Sequence, residues 1–143
     1  MTVRIFVPRD SGALALGADR IAAAIEKEVA ARGLDAEIVR NGSRGLYWLE
    51  PMVEVETAAG RIAYGPVKAR DVPSLFASGL IEGGDHALRL GAPEEIPFLK
   101  RQTRLTFARC GITDPLSLAD YRAHDGLKGL ERAVGMAPAE IVA

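Results

Sequence analysis

Val53-Glu54-Val55-Glu56-Thr57-Ala58-Ala59-Gly60-Arg61-Ile62-Ala63-Tyr64 alternates apolar and charged residues, pauses at Ala-Ala-Gly, and resumes with Ile62 and Tyr64. A period of two puts Val53, Val55 and Thr57 on one face of a strand and Glu54 and Glu56 on the other. With Gly60 closing the turn, the stretch reads as a β-hairpin whose two strands are each half-buried. It is the clearest strand pair in the chain.

Upstream, Val3-Arg4-Ile5-Phe6-Val7 is short, β-branched and aromatic, and is closed by Pro8, the pattern of a buried strand. After the loop Arg9-Asp10-Ser11-Gly12, Leu14, Ala18, Ile21, Ile25 and Val29 recur at spacings of three and four. That spacing predicts one long amphipathic helix, ended by Gly33, which adopts a left-handed cap at little cost. Residues 35–40 read as a second strand. Strand, helix and strand make a βαβ unit, which implies a right-handed crossover and parallel pairing. Downstream of the hairpin, Asp71 is expected to cap a helix near 72–82 that carries Leu75, Phe76, Leu80 and Ile81. The order β-α-β, hairpin, helix predicts an α/β fold similar to a thioredoxin-like domain over residues 1–83. Gly83-Gly84-Asp85 marks its expected end.

Residues 84–143 are expected to be a linker and a mostly helical C-terminal extension. Asp114-Pro115 opens the helical region, and Ser117 with Asp120 resembles a capping box. Leu127, Leu130 and Val134 form an apolar stripe closed by Gly135. A last helix starts at Pro138. Six residues are too few for a helix to stand alone in water, so the sequence is expected to be part of a longer protein.

Composition narrows the function classes. Hydrophobic residues make up 48% and charged residues 26%, which are globular values. The formal net charge is -1 and aromatic residues are 6%, a poor basis for nucleic-acid binding. No apolar run approaches the ~18 residues of a membrane span. No signal-peptide cleavage pattern follows the N-terminal strand. The single cysteine, Cys110, rules out an internal disulfide and any multi-thiolate metal site. These points predict a reduced, cytoplasmic setting with no membrane and no nucleic-acid partner.

Candidate chemistry is sparse. There is no Cys-x-x-Cys, no G-x-G-x-x-G after the first strand, and no P-loop. His86 and His124 lack a second ligand at metal spacing, so helix-end or surface roles are expected for both. Cys110 reads as an inert thiol. The loop Asn41-Gly42-Ser43-Arg44-Gly45 offers backbone N–H groups and Arg44 to an anion, though an ordinary turn explains it better. Residues 100–109 carry Lys100, Arg101, Arg104 and Arg109 with no acid; they read as a solvated face or as a docking strip for an acidic neighbour. Tyr47-Trp48 is either an interface pair or a plug beneath its loop. No catalytic, cofactor-binding or metal-ligating residue is assigned.

Two resemblances follow from these residues. Gly17-Ala18 and Glu50-Pro51-Met52-Val53 resemble the anchors of the thioredoxin-like 2Fe–2S ferredoxin domain of respiratory complex I relatives. Counted from those anchors, that domain's four cysteine positions fall on Pro8, Ala13, Arg44 and Trp48. Such clusters need four thiolates, so the resemblance implies a domain that kept the shape and lost the cluster. Its two ligand loops correspond to residues 8–13 and 43–48. The expectation is that Trp48, with Tyr47, fills the cluster's place and that Arg44 points outward; the competing expectation is that Trp48 is an exposed anchor for a partner. The run from Arg104 through Cys110-Gly111-Ile112-Thr113-Asp114-Pro115 to Tyr121 resembles the lead-in of the flavin-binding subunit of complex I and its relatives. Asp125-Gly126-Leu127-Lys128-Gly129-Leu130 and Ala137-Pro138-Ala139-Glu140-Ile141-Val142 continue that match.

The combination resembles the beta subunit of NAD-dependent, molybdenum-containing formate dehydrogenases. The resemblance implies FMN and a 4Fe–4S cluster in a full-length oxidoreductase, none of them in these residues. It implies as partners a small 2Fe–2S ferredoxin-like subunit and a molybdenum-containing subunit. Two alternatives stay open: the diaphorase part of an NAD-reducing hydrogenase or of complex I, and a stand-alone thioredoxin-like binding module.

Overall fold

The computed structural model describes residues 2–142. Strand β1 (Val3–Phe6) leads to a short helix α1 (Ser11–Ala15) and a long one, α2 (Ala18–Arg32). The single helix expected from Leu14 to Gly33 is thus broken. Gly17, at φ 98°, sits between the two parts in a left-handed conformation, which a helix interior does not accept. Strand β2 (Ala36–Val39) follows, then a 3-10 turn at Tyr47–Leu49, and the hairpin β3 (Val53–Thr57) and β4 (Gly60–Tyr64). Helix α3 (Val72–Ala77) stops earlier than the expected 82, because Gly79 turns left-handed at φ 82° and a 3-10 turn covers Leu80–Glu82.

The sheet has the order β2-β1-β3-β4-β5. β1 and β2 are parallel in the register Val3↔Ala36, as the βαβ reading requires, and β1 meets β3 antiparallel. The fifth strand, β5 (Arg89–Gly91), pairs with β4 and lies beyond residue 83, where the sequence suggested a boundary. A 3-10 turn at Pro93–Glu95 and a short helix, α4 (Pro97–Lys100), come next.

One compact unit reaches to Ile112 and a second begins at Thr113. The first holds the core. Ile5, Val53, Val55 and Tyr64 point to one face of the sheet and pack against Ala18, Ile21, Ala22 and Ile25 of α2 and Leu75 and Phe76 of α3. Each side chain of that size buried from water stabilises the fold by about 1.5–3 kcal/mol. On the other face Phe6, Glu54 and Ala63 lie side by side across β1, β3 and β4. A smaller cluster of Leu46, Met52, Ala63, Ile96 and Leu99 closes part of that face.

The second unit is helical: α5 (Leu118–Ala123), α6 (Lys128–Val134) and α7 (Pro138–Val142). Ser117 Oγ accepts the Asp120 N–H at 3.1 Å, and Asp120 accepts the Asp114 N–H at 2.6 Å, so half of the expected capping box forms. Gly135 ends α6. No residue of 113–142 is buried; Leu116, Leu130, Val134 and Val142 are all well over half exposed. Among the described residues no helix is long and apolar enough to cross a membrane.

Candidate functional site

The loops at residues 8–13 and 43–48 meet. The Tyr47 ring lies 3.7 Å from where a Cβ on Gly12 would stand. Asp10 shapes the first loop by accepting the Gly12 and Ala13 N–H groups at 3.0 and 3.2 Å, which caps α1. In the second loop Ser43 Oγ accepts the Gly45 N–H at 2.8 Å and donates to Glu50 at 2.6 Å.

The four positions that the sequence resemblance pairs with cluster ligands, Pro8, Ala13, Arg44 and Trp48, carry an imino acid, a methyl group, a guanidinium and an indole. None supplies a thiolate. Among the described residues no group of three His, Cys, Asp or Glu side chains converges on a metal-sized site. These residues do not fit an iron–sulfur cluster.

The structure reverses the expected roles of Arg44 and Trp48. Arg44 turns inward and is 7% exposed. Its Nε and Nη2 donate to the two carboxylate oxygens of Glu54 at 2.6 and 2.9 Å, and Nη1 faces Glu94 at 3.3 Å. Burial opposes the Arg44 charge, but the paired carboxylates outweigh it and hold its pKa above the ordinary value. Glu54 also receives Arg61 Nη1 at 3.2 Å. Arg61 lies 3.4 Å over the Phe6 ring. Burial depresses its pKa in spite of Glu54, since it shares that carboxylate with Arg44 and is repelled by it.

The physical reason for the reversal lies on the far side of the sheet. Residues 92–112 cover that face, so Glu54 is 1% exposed and needs a counter-charge. The arginine fork matches a carboxylate with two parallel bonds. Arg61 Nη1 and Nη2 then donate to the carbonyls of Gly111 and Ile112 at 2.9 and 3.0 Å, and Asn41 Nδ2 donates to Gly111 at 2.7 Å. The space beneath the second loop is taken by Leu46, fully buried. Trp48 is 58% exposed and stands edge-to-face on Phe98, with ring centroids 5.2 Å apart. Tyr47 is 67% exposed. The plug reading of Tyr47-Trp48 is therefore corrected. The anion-cradle reading of the Asn41–Gly45 loop also falls, because Arg44 is already bound to carboxylates.

Glu50 is buried and accepts Ser43 Oγ and the Met52 N–H at 2.6 and 3.0 Å; burial raises its pKa in spite of these bonds. His86 Nδ1 accepts the Leu88 N–H at 3.1 Å. Nε2 then carries the proton and faces Ser74 Oγ at 3.1 Å. His124 bonds within the last turn of α5. Cys110 is partly buried. Sequence reasoning missed Glu54, Arg61 and Phe98. The charge pattern held a usable signal: acids on the polar face of β3 with an arginine on the next strand.

Two solved structures place the fold. A cysteine-to-serine variant of the thioredoxin-like [2Fe-2S] ferredoxin from Aquifex aeolicus matches with a TM-score of 0.53 at 23% identity, covering 62% of this chain and 98% of that one. The wild-type protein matches with a TM-score of 0.51 at 21% identity, over 63% and 97%. The fold is that of a thioredoxin-like ferredoxin. No family model matches the chain. Among known proteins, the NADP-reducing hydrogenase subunit HndC of Solidesulfovibrio fructosivorans is 44% identical over 43 residues. That stretch is 30% of this chain and 9% of the hydrogenase subunit.

Proposed function

We propose that this chain is the N-terminal region of the flavin-binding, NAD-reducing subunit of an electron-transfer complex, and that its thioredoxin-like ferredoxin domain docks subunits and carries no cluster. The observation that carries this reading is the pairing of a ferredoxin fold with Pro8, Ala13, Arg44 and Trp48 at the four ligand positions. Arg44 is committed to Glu54, so the ligand loop is held by an internal ion pair where a cluster would otherwise brace it. The resemblance of residues 104–142 to a flavin-subunit lead-in supports the same reading. So does the exposure of the apolar residues of 113–142, which suits a segment finished by contacts with other protein.

The electron donor in this proposal is formate, oxidised on a molybdenum-containing subunit, with electrons passing through iron–sulfur clusters and FMN to NAD. A second reading has one observation in its favour. The 43-residue match to a hydrogenase subunit supports the corresponding subunit of a hydrogen-oxidising complex.

The test is purification of the native complex through a tag on this chain, with FMN and iron measured and NAD reduction followed under formate and under hydrogen. Formate-driven reduction with bound FMN is expected. Hydrogen-driven reduction would move the proposal to the second reading. A complex with neither flavin nor either activity would overturn both. The 143-residue chain alone is expected to be colourless; visible flavin or iron–sulfur absorbance after anaerobic purification would refute the cluster-free assignment.

A further inference from the structure

The first unit exposes several large aromatic side chains. Trp48 and Phe98 form an edge-to-face pair, and Phe98 is 41% exposed. Tyr47, next to Trp48 in the chain, and Phe107 are 67% and 65% exposed and line one cleft of about 300 Å³ together with Arg104. Large aromatics gathered at a surface are uncommon on a monomer and mark contact sites. The pairing of Trp48 with Phe98 also holds both rings in place before any partner arrives, which lowers the ordering cost of binding.

The segment that carries Phe98 and Phe107 is one-sided in charge, and the acids nearest it, Glu94 and Glu95, face Arg44 and Lys100. No Asp or Glu occurs from Ile96 to Thr113, whereas Lys100, Arg101, Arg104 and Arg109 do. Lys100 pairs with Glu95. Among the described residues Arg101 and Arg104 bond to neutral acceptors, the Pro97 carbonyl at 3.2 Å and Gln102 Oε1 at 2.9 Å. Their positive charge is left for something outside this segment. Arginine and aromatic side chains are also the residues enriched at the centres of protein interfaces.

We propose that this aromatic surface and its arginine rim form a docking face for a folded protein whose contact surface sets carboxylates around an apolar centre. The inference rests on the proposed function in one respect: the partner is another subunit of the same complex. Carboxylates opposite Arg101 and Arg104 would steer and register the encounter, while Trp48 and Phe98 would supply the buried centre. A single-stranded nucleic acid would also meet arginines and rings. The chain's overall charge of -1 favours the protein, since nucleic-acid binders carry a broad basic surface.

The test uses the subunits co-expressed with a tagged copy of the full subunit. Two double variants are compared with the parent: Trp48→Ala with Phe98→Ala, and Arg101→Glu with Arg104→Glu. Each is expected to lower the share of tagged subunit in the assembled complex by about tenfold or more, the scale of interface hot spots. Added salt should weaken the parent's assembly and change the charge-reversed form less. Melting of the 143-residue chain, followed by circular dichroism, should stay at the parent value. If the aromatic double variant melts early, Tyr47→Ala replaces it. Variants that fold and assemble like the parent would overturn the proposal. So would binding of a labelled oligo-dT that is lost on charge reversal while assembly is untouched, or self-association of the 143-residue chain that Trp48→Ala abolishes. A complex that assembles through this face but holds no flavin and reduces no NAD refutes the proposed function and leaves the docking face standing. A flavin-loaded complex indifferent to these variants does the reverse.

Discussion

On one face of the sheet Ile5, Val53, Val55 and Tyr64 meet α2 and α3 through hydrocarbon, whereas on the other Glu54 sits between Arg44 and Arg61 beneath the backbone of Gly111 and Ile112. The first face asks only that its side chains be apolar and fill the volume, and volume-conserving swaps there usually cost less than about 1.5 kcal/mol. The second asks for particular partners at particular distances. A buried pair of charges adds little over a well-packed apolar pair, but losing one member strands the other. The two faces therefore differ less in how much they stabilise than in how they fail.

The strongest test of that contrast is Glu54→Ala, which leaves two buried guanidiniums without their shared carboxylate. A loss of about 3–5 kcal/mol is expected by chemical denaturation. If Arg44→Leu combined with Glu54→Leu recovers most of that loss, the network specifies geometry more than it stabilises. A loss under about 1 kcal/mol for Glu54→Ala would break the comparison. Ile25→Ala on the helix face should cost about 2–5 kcal/mol, set by how far the core collapses into the gap. A comparable effect is expected for Gly111→Ala. Gly111 has φ 81°, and a Cβ there would stand 2.1 Å from Arg44 Cγ. The backbone strain alone is about 1–3 kcal/mol, and Arg44 must shift as well.

The pH dependence sharpens the contrast further. Burial raises the Glu50 pKa, so the native state holds this proton more tightly than the unfolded chain does. Linkage then requires the Glu50 contribution to fall as pH rises from the ordinary carboxylate value through the raised one. Glu50→Gln removes that slope. Its stability relative to the parent should climb as pH is raised from about 4 to about 7, measured as the difference between the two denaturation curves. A parallel pair of curves would contradict the assignment. The smallest effect is expected for Trp48→Ala, within about 0.5 kcal/mol of the parent, because the indole is mostly wet. A loss of several kcal/mol would restore the buried-plug account.

The parts of this fold that could be read in the sequence are those governed by period. The hairpin at 53–64 and the βαβ unit are announced by spacings of two and of three to four. The register Ile5↔Val55 and Val55↔Ile62 keeps the predicted apolar faces together. Strand β5 was not legible, since Arg-Leu-Gly is too short to show a period. The break at Gly17 was missed because Leu14 and Ala18 keep helical spacing across it. At the site, alternation correctly put Glu54 opposite Val53 and Val55. It says which face is polar and nothing about whether that face is covered. Residues 92–112 cover it, and this long-range contact decided that Arg44 would be inside and Trp48 outside.

The exposure of Trp48 has a practical consequence for anyone who studies the chain in solution. It is the only tryptophan, and its ring is already more than half exposed in the native state, with Phe98 against it. Its emission should therefore sit near the red limit throughout and shift little as the sheet melts. A flat fluorescence trace on heating would report the position of one indole and not the durability of the fold. The phenol of Tyr64, fully buried and donating to the Gly84 carbonyl at 2.7 Å, is the better placed chromophore. Near-ultraviolet signals from tyrosine should register unfolding where tryptophan stays silent.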